Sequence, residues 1–388
     1  MTLSSRAVTG TAVVATISTV LPGFLAGALS VQVIAEFDVG EARYGLALAS
    51  FFLAATAVSS RMGKLAQDVG PRRQVVTSLI VTAVTSLLIA AFASSFVVFV
   101  ALLAVLGISN SANQTAVNLL LSQATLPRLG LALAIKQSGM PGAALLGGLA
   151  VPAIAVTVGW RWVYVLAAGL ALGSIVIVRS VIAPVGRLDR AARGVPATPI
   201  RALRLAGVGF ACLAFSAGAL NAWTVASGVD AGLSESDSGL LLSAGAASGI
   251  AVRLAIGTRL DALRRSPMQI AAALSMVGAV GVLALTNRSP TTVVLATVLA
   301  FGTGWVWPVL TNFGIVSENR DAAAAATGIT QTGVYVGVFV GPLATGLLID
   351  SFGFGIMWVV TALVMVTGAF ITNQSKIGST LSASSKPI

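Results

Sequence analysis

Two of the few residues in this chain that could do chemistry are cations within apolar stretches. Lys136 and Arg253 each lie inside a long hydrophobic run. A charge in the bilayer core costs at least about 2.5–3.5 kcal/mol on insertion scales, so it usually faces a cavity or a partner. Both cations therefore qualify as ligands for a negatively charged solute. In the structural alternatives, Lys136 reaches back to the nearer interface. Arg253 would instead pair with Asp261, two turns along the helix.

Amide and indole side chains accompany these cations. Asn110 and Asn113 share one helical face by their spacing, and Gln137 directly follows Lys136. Such groups can hydrogen-bond a solute in place of water. Further candidates for contact with a solute are Asn221, Trp305 and Gln331.

The residue types that the chain lacks exclude several chemistries. It contains no histidine and a single cysteine, Cys212, which rules out a Cys-His or Ser-His-Asp nucleophile, a His-based metal site and a disulfide framework. No phosphate-binding GxxxxGK(S/T) loop occurs, so nothing suggests ATP hydrolysis. We expect no enzyme activity, no cofactor and no metal. The apolar runs also hold no deep Asp or Glu, the group that a cation/proton antiporter would normally use, which favours an anionic substrate.

The composition predicts a polytopic helical membrane protein. Hydrophobic residues make up 56% of the chain and charged residues 9%, against roughly 25% charged in a soluble domain. Apolar runs recur that are long enough to cross a hydrocarbon core of roughly 30 Å as helices. We predict twelve spans, at 9–31, 45–62, 74–94, 97–119, 130–157, 162–180, 204–227, 239–258, 268–286, 291–315, 323–349 and 355–373.

These spans divide into two similar halves. Gly45 and Gly63 recur 194 residues later as Gly239 and Gly257, and the Ile-x-Gln-x-Gly pattern at 135–139 recurs at 329–333. We therefore predict two pseudo-symmetric six-helix bundles, the organisation of many secondary transporters. The predicted boundaries are bundle 1–182, linker 183–203, bundle 204–374 and tail 375–388.

The net charge of +11 orients the chain rather than indicating a nucleic-acid partner. Most of the 23 Lys and Arg residues fall in the segments on one side of the spans, whereas Glu36, Glu41 and Asp230 fall on the other. By the positive-inside rule this predicts a cytoplasmic (inner) membrane protein with both termini in the cytoplasm.

Two basic loops carry a family resemblance. The segment from Gly63 through Asp68 to Arg73, and the segment from Gly257 through Asp261 to Arg265, resemble the GxLxDRxGRR loop signature of the major facilitator superfamily. The first copy has Gln67 at the usual acidic position, and the second lacks the later glycine. The resemblance covers the whole chain. It implies gating roles for seven residues: Gly63, Asp68, Arg72, Arg73, Gly257, Asp261 and Arg264.

The resemblance also implies that spans 5 and 11 lie between the halves, where the glycines at 333, 337, 341 and 346 would provide a smooth surface. It implies transport by rocker-switch alternating access. With Lys136 and Arg253, the chain is most similar to the cyanate/nitroimidazole and nitrate-like branches. We therefore expect a monomeric transporter of a small organic or inorganic anion in the lipid bilayer, with H⁺ as the candidate coupling ion. The alternatives are an exporter of neutral or amphipathic drug-like compounds and a non-transporting membrane sensor.

Overall fold

The protein is an assembly of helices. The computed structural model describes residues 5–123, 129–183, 196–263, 265–375 and 377, and the predicted Arg264 lies outside them. The helices of the first half are α1 Ser5–Ala28, α2 Ser30–Phe37, α3 Glu41–Val69, α4 Pro71–Phe92, α5 Phe96–Gln123, α6 Leu129–Gln137, α7 Gly139–Ala150, α8 Val156–Val158 and α9 Trp160–Val181. Those of the second half are α10 Ile200–Asp230, α11 Glu235–Gly257, α12 Pro267–Ala284, α13 Pro290–Leu299, α14 Trp307–Glu318 and α15 Ala323–Gln374.

The predicted helical membrane fold is confirmed. Eleven helical segments of the described chain are long and apolar enough to cross a membrane. The last of them, Ala325–Gln374, has 50 residues, whereas one crossing needs about 20. Its backbone leaves the helical region at Gly353 (φ 76°, ψ 175°), and this break separates the two spans predicted at 323–349 and 355–373. The chain therefore has twelve spans in its described parts.

The sequence repeat reappears in the positions of the helix starts. Glu41 and Glu235 begin α3 and α11, and Phe96 and Pro290 begin α5 and α13. Gly159 and Gly353, also 194 residues apart, both have positive φ values and both interrupt helical backbone. This spacing supports two copies of one unit, while the exact domain boundaries stay a prediction.

The first helix occupies the centre of the molecule. In its apolar window 83% of the residues are buried, against 33–67% for the other spans. It packs on α5, α7 and α9 of its own half and on α10 of the other half. This burial explains why α1 bears small and polar residues where a lipid-facing helix would bear large apolar ones.

Most of the glycines expected to line the interface pack inside the second half. Alanine Cβ atoms at Gly333 and Gly337 would lie 1.9 and 2.1 Å from carbonyl oxygens of α10. Only Gly346, with 2.5 Å to the carbonyl oxygen of Glu41, contacts the other half. The expectation of a four-glycine sliding surface was therefore wrong for this part of α15, because α10 and α15 approach closely enough to need these glycines themselves.

The halves meet along two seams. In the α3 seam, α3 packs on α15, and in the α11 seam, α6 and α7 pack on α11. Both are closed at the end of the molecule that carries Glu36, which we call the Glu36 end. There a Cβ at Gly45 would lie 2.4 Å from the oxygen of Pro342, and one at Gly148 would lie 2.4 Å from the oxygen of Gly239. These two contacts are related by the 194-residue repeat.

The seams differ at the opposite end, which carries Arg72 and which we call the Arg72 end. In the α11 seam, a Cβ at Gly257 would lie 2.4 Å from the Cβ of Ala134. The repeat-related positions in the α3 seam are Gly63 and Gly328, and no described atom lies within 4 Å of a Cβ built on either. The two halves therefore part along α3 and α15 at the Arg72 end.

Candidate functional site

Two helix interruptions face each other between the halves. Pro141 has no N–H, so the carbonyl of Gln137 lacks its helical partner, and α6 ends at that residue. In the second half, α13 passes through a π-helical turn at Ala300–Gly304 and resumes as α14, with Pro308 in its first turn. The N–H of Val309 binds Val306, which leaves the carbonyl of Trp305 outside the helical pattern. Both carbonyls need donors from elsewhere.

Arg253 supplies these donors. One terminal nitrogen, Nη1, donates to the carbonyl of Gln137 at 3.1 Å, and the other, Nη2, donates to the carbonyl of Trp305. The guanidinium also lies 5.2 Å from the indole centroid of Trp305. The side chain is only 1% exposed, and its Nε has no partner among the described residues. Three of the predicted site residues are thus brought together across the two halves.

Lys136 lies one residue from this junction. Its side chain is partly buried, about seven residues and therefore roughly 10 Å along α6 from the start of that helix. No hydrogen bond or ion pair joins it to another residue of the described chain. A cation at this depth without a counter-ion favours a site for a negative charge.

The polar face of α5 contacts α1. Asn113 donates to the hydroxyl of Thr19 at 3.0 Å, and Thr19 lies 3.5 Å from the Oδ1 of Asn110. Five polar atoms in this wall are buried without a partner in the described chain: Thr16 Oγ1, Ser111 Oγ, Asn113 Oδ1, Gln114 Oε1 and Gln114 Nε2. Buried polar groups are normally hydrogen-bonded, so this wall has spare capacity for a solute.

Thr16 and Thr19 were missed in the sequence, where they resemble ordinary hydroxyl residues of an apolar helix. Thr16 also links the α5 wall to the junction, since a Cβ at Gly139 would lie 2.9 Å from its methyl group. The available signal was the run of Thr and Ser at 9, 11, 16, 18 and 19, which is unusual for a helix that faces lipid.

The other candidates lie apart from this junction. Asn221 is 8% exposed, its Oδ1 lacks a partner in the described chain, and its backbone oxygen abuts Gly27 where α10 crosses α1. Gln331 is partly buried on α15, at the position repeat-related to Gln137. Their contact with a solute stays a prediction.

The predicted gating residues are placed unequally. Asp261 accepts a hydrogen bond from the N–H of Gly130 at 3.2 Å, at the first turn of α6 in the other half. Arg72 donates instead within its own half, to the carbonyl of Arg179 at 3.0 Å. Asp68 and Arg73 are exposed. Of these groups, Asp261 alone bridges the halves by a hydrogen bond between described residues.

A charged cluster stabilises the Glu36 end. Arg161 forms an ion pair with Glu36 at 2.6 Å and lies 4.4 Å from the ring centroid of Trp160. The indole N–H of Trp160 also donates to Glu36. Burial raises the pKa of Glu36, but the hydrogen bonds from Arg161 and Trp160 and the charge of Arg161 outweigh it, so the pKa lies below its ordinary value.

The fold and the junction between the halves together define a polytopic membrane transporter. Residues 8–319 and 208–376 match the family model described as Major Facilitator Superfamily. The chain belongs to this superfamily. No curated protein matches the sequence. A similar solved structure is the crystal structure of the human organic anion transporter MFSD10 (TETRAN), with a TM-score of 0.72 and 15% identity. The alignment covers 95% of this chain and 99% of that one.

Proposed function

We propose that this secondary transporter moves a small organic or inorganic anion, and that Lys136 is its direct charge contact. The observation that carries the proposal is the Lys136 ammonium, which lies partly buried beside the junction of the halves without a counter-ion in the described chain. Asn110, Asn113 and Gln137 would hydrogen-bond the anion. The nearby Arg253 adds positive potential.

Two further observations support this choice. The described spans hold no carboxylate near Lys136 that could bind a cation in its place. The superfamily member MFSD10, which shares the fold, is named an organic anion transporter. The resemblance to the cyanate/nitroimidazole and nitrate-like branches points to a small anion of the same kind.

We further propose that the protein lies in the cytoplasmic membrane with the Arg72 end toward the cytoplasm. The basic residues of the loops at that end support this orientation. The anion would enter from the Arg72 end in the structure described here, where α3 and α15 part, and from the Glu36 end after the halves change their relative orientation. Cotransport with H⁺, exchange for another anion, or the gradient of the anion itself would supply the driving force.

The test is a thermal-shift screen of the purified protein with nitrate, cyanate, formate, acetate and benzoate, beside neutral and cationic solutes. A ligand at 100 times its Kd stabilises the folded state by about 2.7 kcal/mol, which raises the Tm. We expect a shift with one anion class that is lost in Lys136→Gln. The control is Lys64→Gln, which removes an exposed lysine at the end of α3 and should keep the shift.

Other outcomes distinguish the alternatives. A shift with neutral or cationic compounds alone, equal in Lys136→Gln, would reject the anion proposal in favour of an exporter. A shift with an anion but no uptake of that anion into proteoliposomes would indicate a sensor that kept the fold.

A further inference from the structure

We infer that the two seams move differently during transport. The α11 seam is a hinge that stays closed, and the site opens and closes along the α3 seam. Ser243, Arg253 and Asp261 are the positioning residues that keep the hinge closed. Through it they hold Lys136 at a fixed place against the second half. The part of this inference that concerns Lys136 rests on the proposed function. The asymmetry of the seams is independent of that proposal.

Three side chains of the α11 segment bind backbone atoms of α6 and α7. The hydroxyl of Ser243 donates to the carbonyl of Leu145 at 3.0 Å, Arg253 donates to Gln137, and Asp261 accepts from Gly130. From Ser243 to the end of α11 at Gly257 the helix rises over 14 residues, or roughly 21 Å at 1.5 Å per residue, and Asp261 follows in the turn beyond it. The contacts therefore hold the seam over much of the thickness of a membrane.

Two of these contacts satisfy a backbone group that has no partner within its own helix. The N–H of Gly130 belongs to the first turn of α6, where helical partners are missing. The carbonyl of Gln137 is released by Pro141. An unmade hydrogen bond is costly at this depth, so separation of α6 from α11 is opposed at Gly130 and at Gln137. Ser243 adds less, because its hydroxyl also donates to the carbonyl of Gly239 in its own helix at 3.2 Å.

The α3 seam lacks all three side chains at the repeat-related positions. Ala49 replaces Ser243 and has no hydroxyl, Ser59 replaces Arg253, and Gln67 replaces Asp261. Tyr335 stands where the other copy has Pro141, so its N–H is available to the carbonyl of Gln331 within continuous helix. Pro342 of α15 does release a carbonyl, that of Val338, but this oxygen lies 3.7 Å from a Cβ built on Gly218 of α10. No carbonyl is released at Gln331, the position equivalent to Gln137, so nothing there needs an arginine.

The contacts that the α3 seam does make are concentrated at the Glu36 end. Asp350 accepts a hydrogen bond from the N–H of Ala42 at 3.1 Å, and Gly45 and Gly346 allow close backbone approach. Near the middle, the hydroxyl of Tyr335 interacts with Ser59. Beyond it, the parted positions Gly63 and Gly328 contrast with the closed contact of Gly257 on Ala134. The α11 seam therefore has hydrogen bonds across it at three levels, whereas the α3 seam has contacts at the Glu36 end and near the middle and is parted at Gly63 and Gly328.

Matched spin-label pairs test this asymmetry. Leu131 and Arg259 straddle the α11 seam at the Arg72 end, and the repeat-related residues Ala325 and Leu65 straddle the α3 seam. Each pair is changed to cysteine in a Cys212→Ser background, labelled, and measured by pulsed electron paramagnetic resonance in phosphatidylcholine/phosphatidylglycerol liposomes. We expect a single narrow distance for 131/259 and a broad or two-peaked distribution for 65/325. Equal widths for both pairs would overturn the hinge, because symmetric rocking moves both seams together.

Substitutions in the seams give a second test. Arg253→Gln and Asp261→Asn should broaden the 131/259 distribution, with Arg253→Lys restoring part of it, while Arg61→Gln, an exposed change on α3, should leave it unchanged. If Arg253→Gln does not fold, the converse change still decides the matter. Gln67→Asp places a carboxylate at the position equivalent to Asp261 and should narrow the 65/325 distribution. An unchanged distribution would contradict the inference that these side chains keep a seam closed.

These measurements need no substrate, so failure of the anion proposal leaves them interpretable. If the distances follow the expectation while no anion shifts the Tm, the hinge stands and the role of Lys136 falls. If both distance tests fail while an anion raises the Tm of the wild type and not of Lys136→Gln, the role of Lys136 stands and the hinge falls.

Discussion

At the scale of single residues, the candidate site is marked by polar atoms that have no partner inside the protein. Gln114 is 8% exposed, and neither atom of its amide is hydrogen-bonded in the described chain. Gln74 is buried too, and its Oε1 also has no partner in the described chain, but its amide nitrogen donates to the carbonyls of Met62 and Ala112 and to the hydroxyl of Thr115. The same residue type thus serves structure at one position and leaves binding capacity at the other.

This contrast predicts opposite effects of one substitution. Gln114→Leu removes an unsatisfied buried amide and should stabilise the protein by about 1–3 kcal/mol, while reducing anion uptake. Gln74→Leu removes satisfied hydrogen bonds and should destabilise it by a similar amount. Thermal unfolding and proteoliposome uptake of both variants provide the comparison. A loss of stability in Gln114→Leu would mean that its amide is satisfied after all.

The charged cluster at the Glu36 end predicts a dependence of stability on pH. The pKa of Glu36 is below its ordinary value in the folded state, so ionised Glu36 stabilises the fold above the unfolded pKa of about 4.3. That contribution is lost as the pH falls through the folded pKa. The Tm difference between the wild type and Glu36→Gln, measured from pH 3 to 8, should therefore be constant near neutrality and shrink in acid. A difference that grows in acid would contradict the assignment.

The sequence predicted part of the site for a clear physical reason. Lys136, Arg253 and Asn113 stand out because charged and amide groups are rare in apolar spans. Their partners could not be predicted, since the acceptors of Arg253 are backbone carbonyls and every residue has one. Thr16 and Thr19 were missed because a hydroxyl can bond its own helix, so its presence in a span carries little information.

At the scale of helices, glycines with positive φ mark where one span turns into the next. Gly353 has φ 76° and ψ 175°, a region nearly restricted to glycine, whereas Gly355 lies in helical backbone two residues later. No described atom lies within 4 Å of a Cβ built on either residue. Space is therefore equal at the two positions, and backbone conformation is the difference between them.

An alanine scan of these two glycines isolates the conformational term. Gly353→Ala should destabilise the protein by about 1–3 kcal/mol through backbone strain. Gly355→Ala should be neutral or stabilise by up to about 1 kcal/mol, because alanine favours helix over glycine. Thermal unfolding of the two variants in one detergent measures both. Equal effects would show that the turn does not depend on the Gly353 conformation.

The number and order of the helices followed from hydropathy, but their interruptions did not. The spans predicted at 130–157 and 291–315 contain the break after Gln137 and the π-helical turn at Ala300–Gly304. Pro141 and Pro308 were visible in the sequence, yet a membrane helix tolerates proline when neighbours satisfy the released carbonyls. Whether a neighbour does so is a tertiary fact. The prediction that the glycines of α15 line the interface between the halves was wrong for a similar reason. Their spacing shows that one face of the helix is smooth but not which helix packs on that face.

At the scale of the whole molecule, the two halves repeat one unit with an offset of 194 residues, but their contacts with each other are symmetric at the Glu36 end only. Gly45 with Pro342 and Gly239 with Gly148 are equivalent contacts, and both are tight. Gly257 with Ala134 and Gly63 with Gly328 are equivalent positions, but only the first pair is in contact. The repeat accounts for the shared arrangement of the helices. The side chains that differ between repeat-related positions account for the different contacts in the two seams.

Closure of the Glu36 end should therefore depend on the absence of a side chain at Gly45. An alanine Cβ there would lie 2.4 Å from the backbone oxygen of Pro342, which cannot turn aside as a side chain can. We expect Gly45→Ala to force α3 and α15 apart at this end. The distance between spin labels on Leu46 and Leu347, both exposed, should lengthen. Gly63→Ala, on the same helix with no described atom within 4 Å, should leave that distance unchanged. An unchanged distance in both variants would mean that α15 can retreat without opening the end, and closure would then depend on the Asp350 contact with Ala42 rather than on glycine packing.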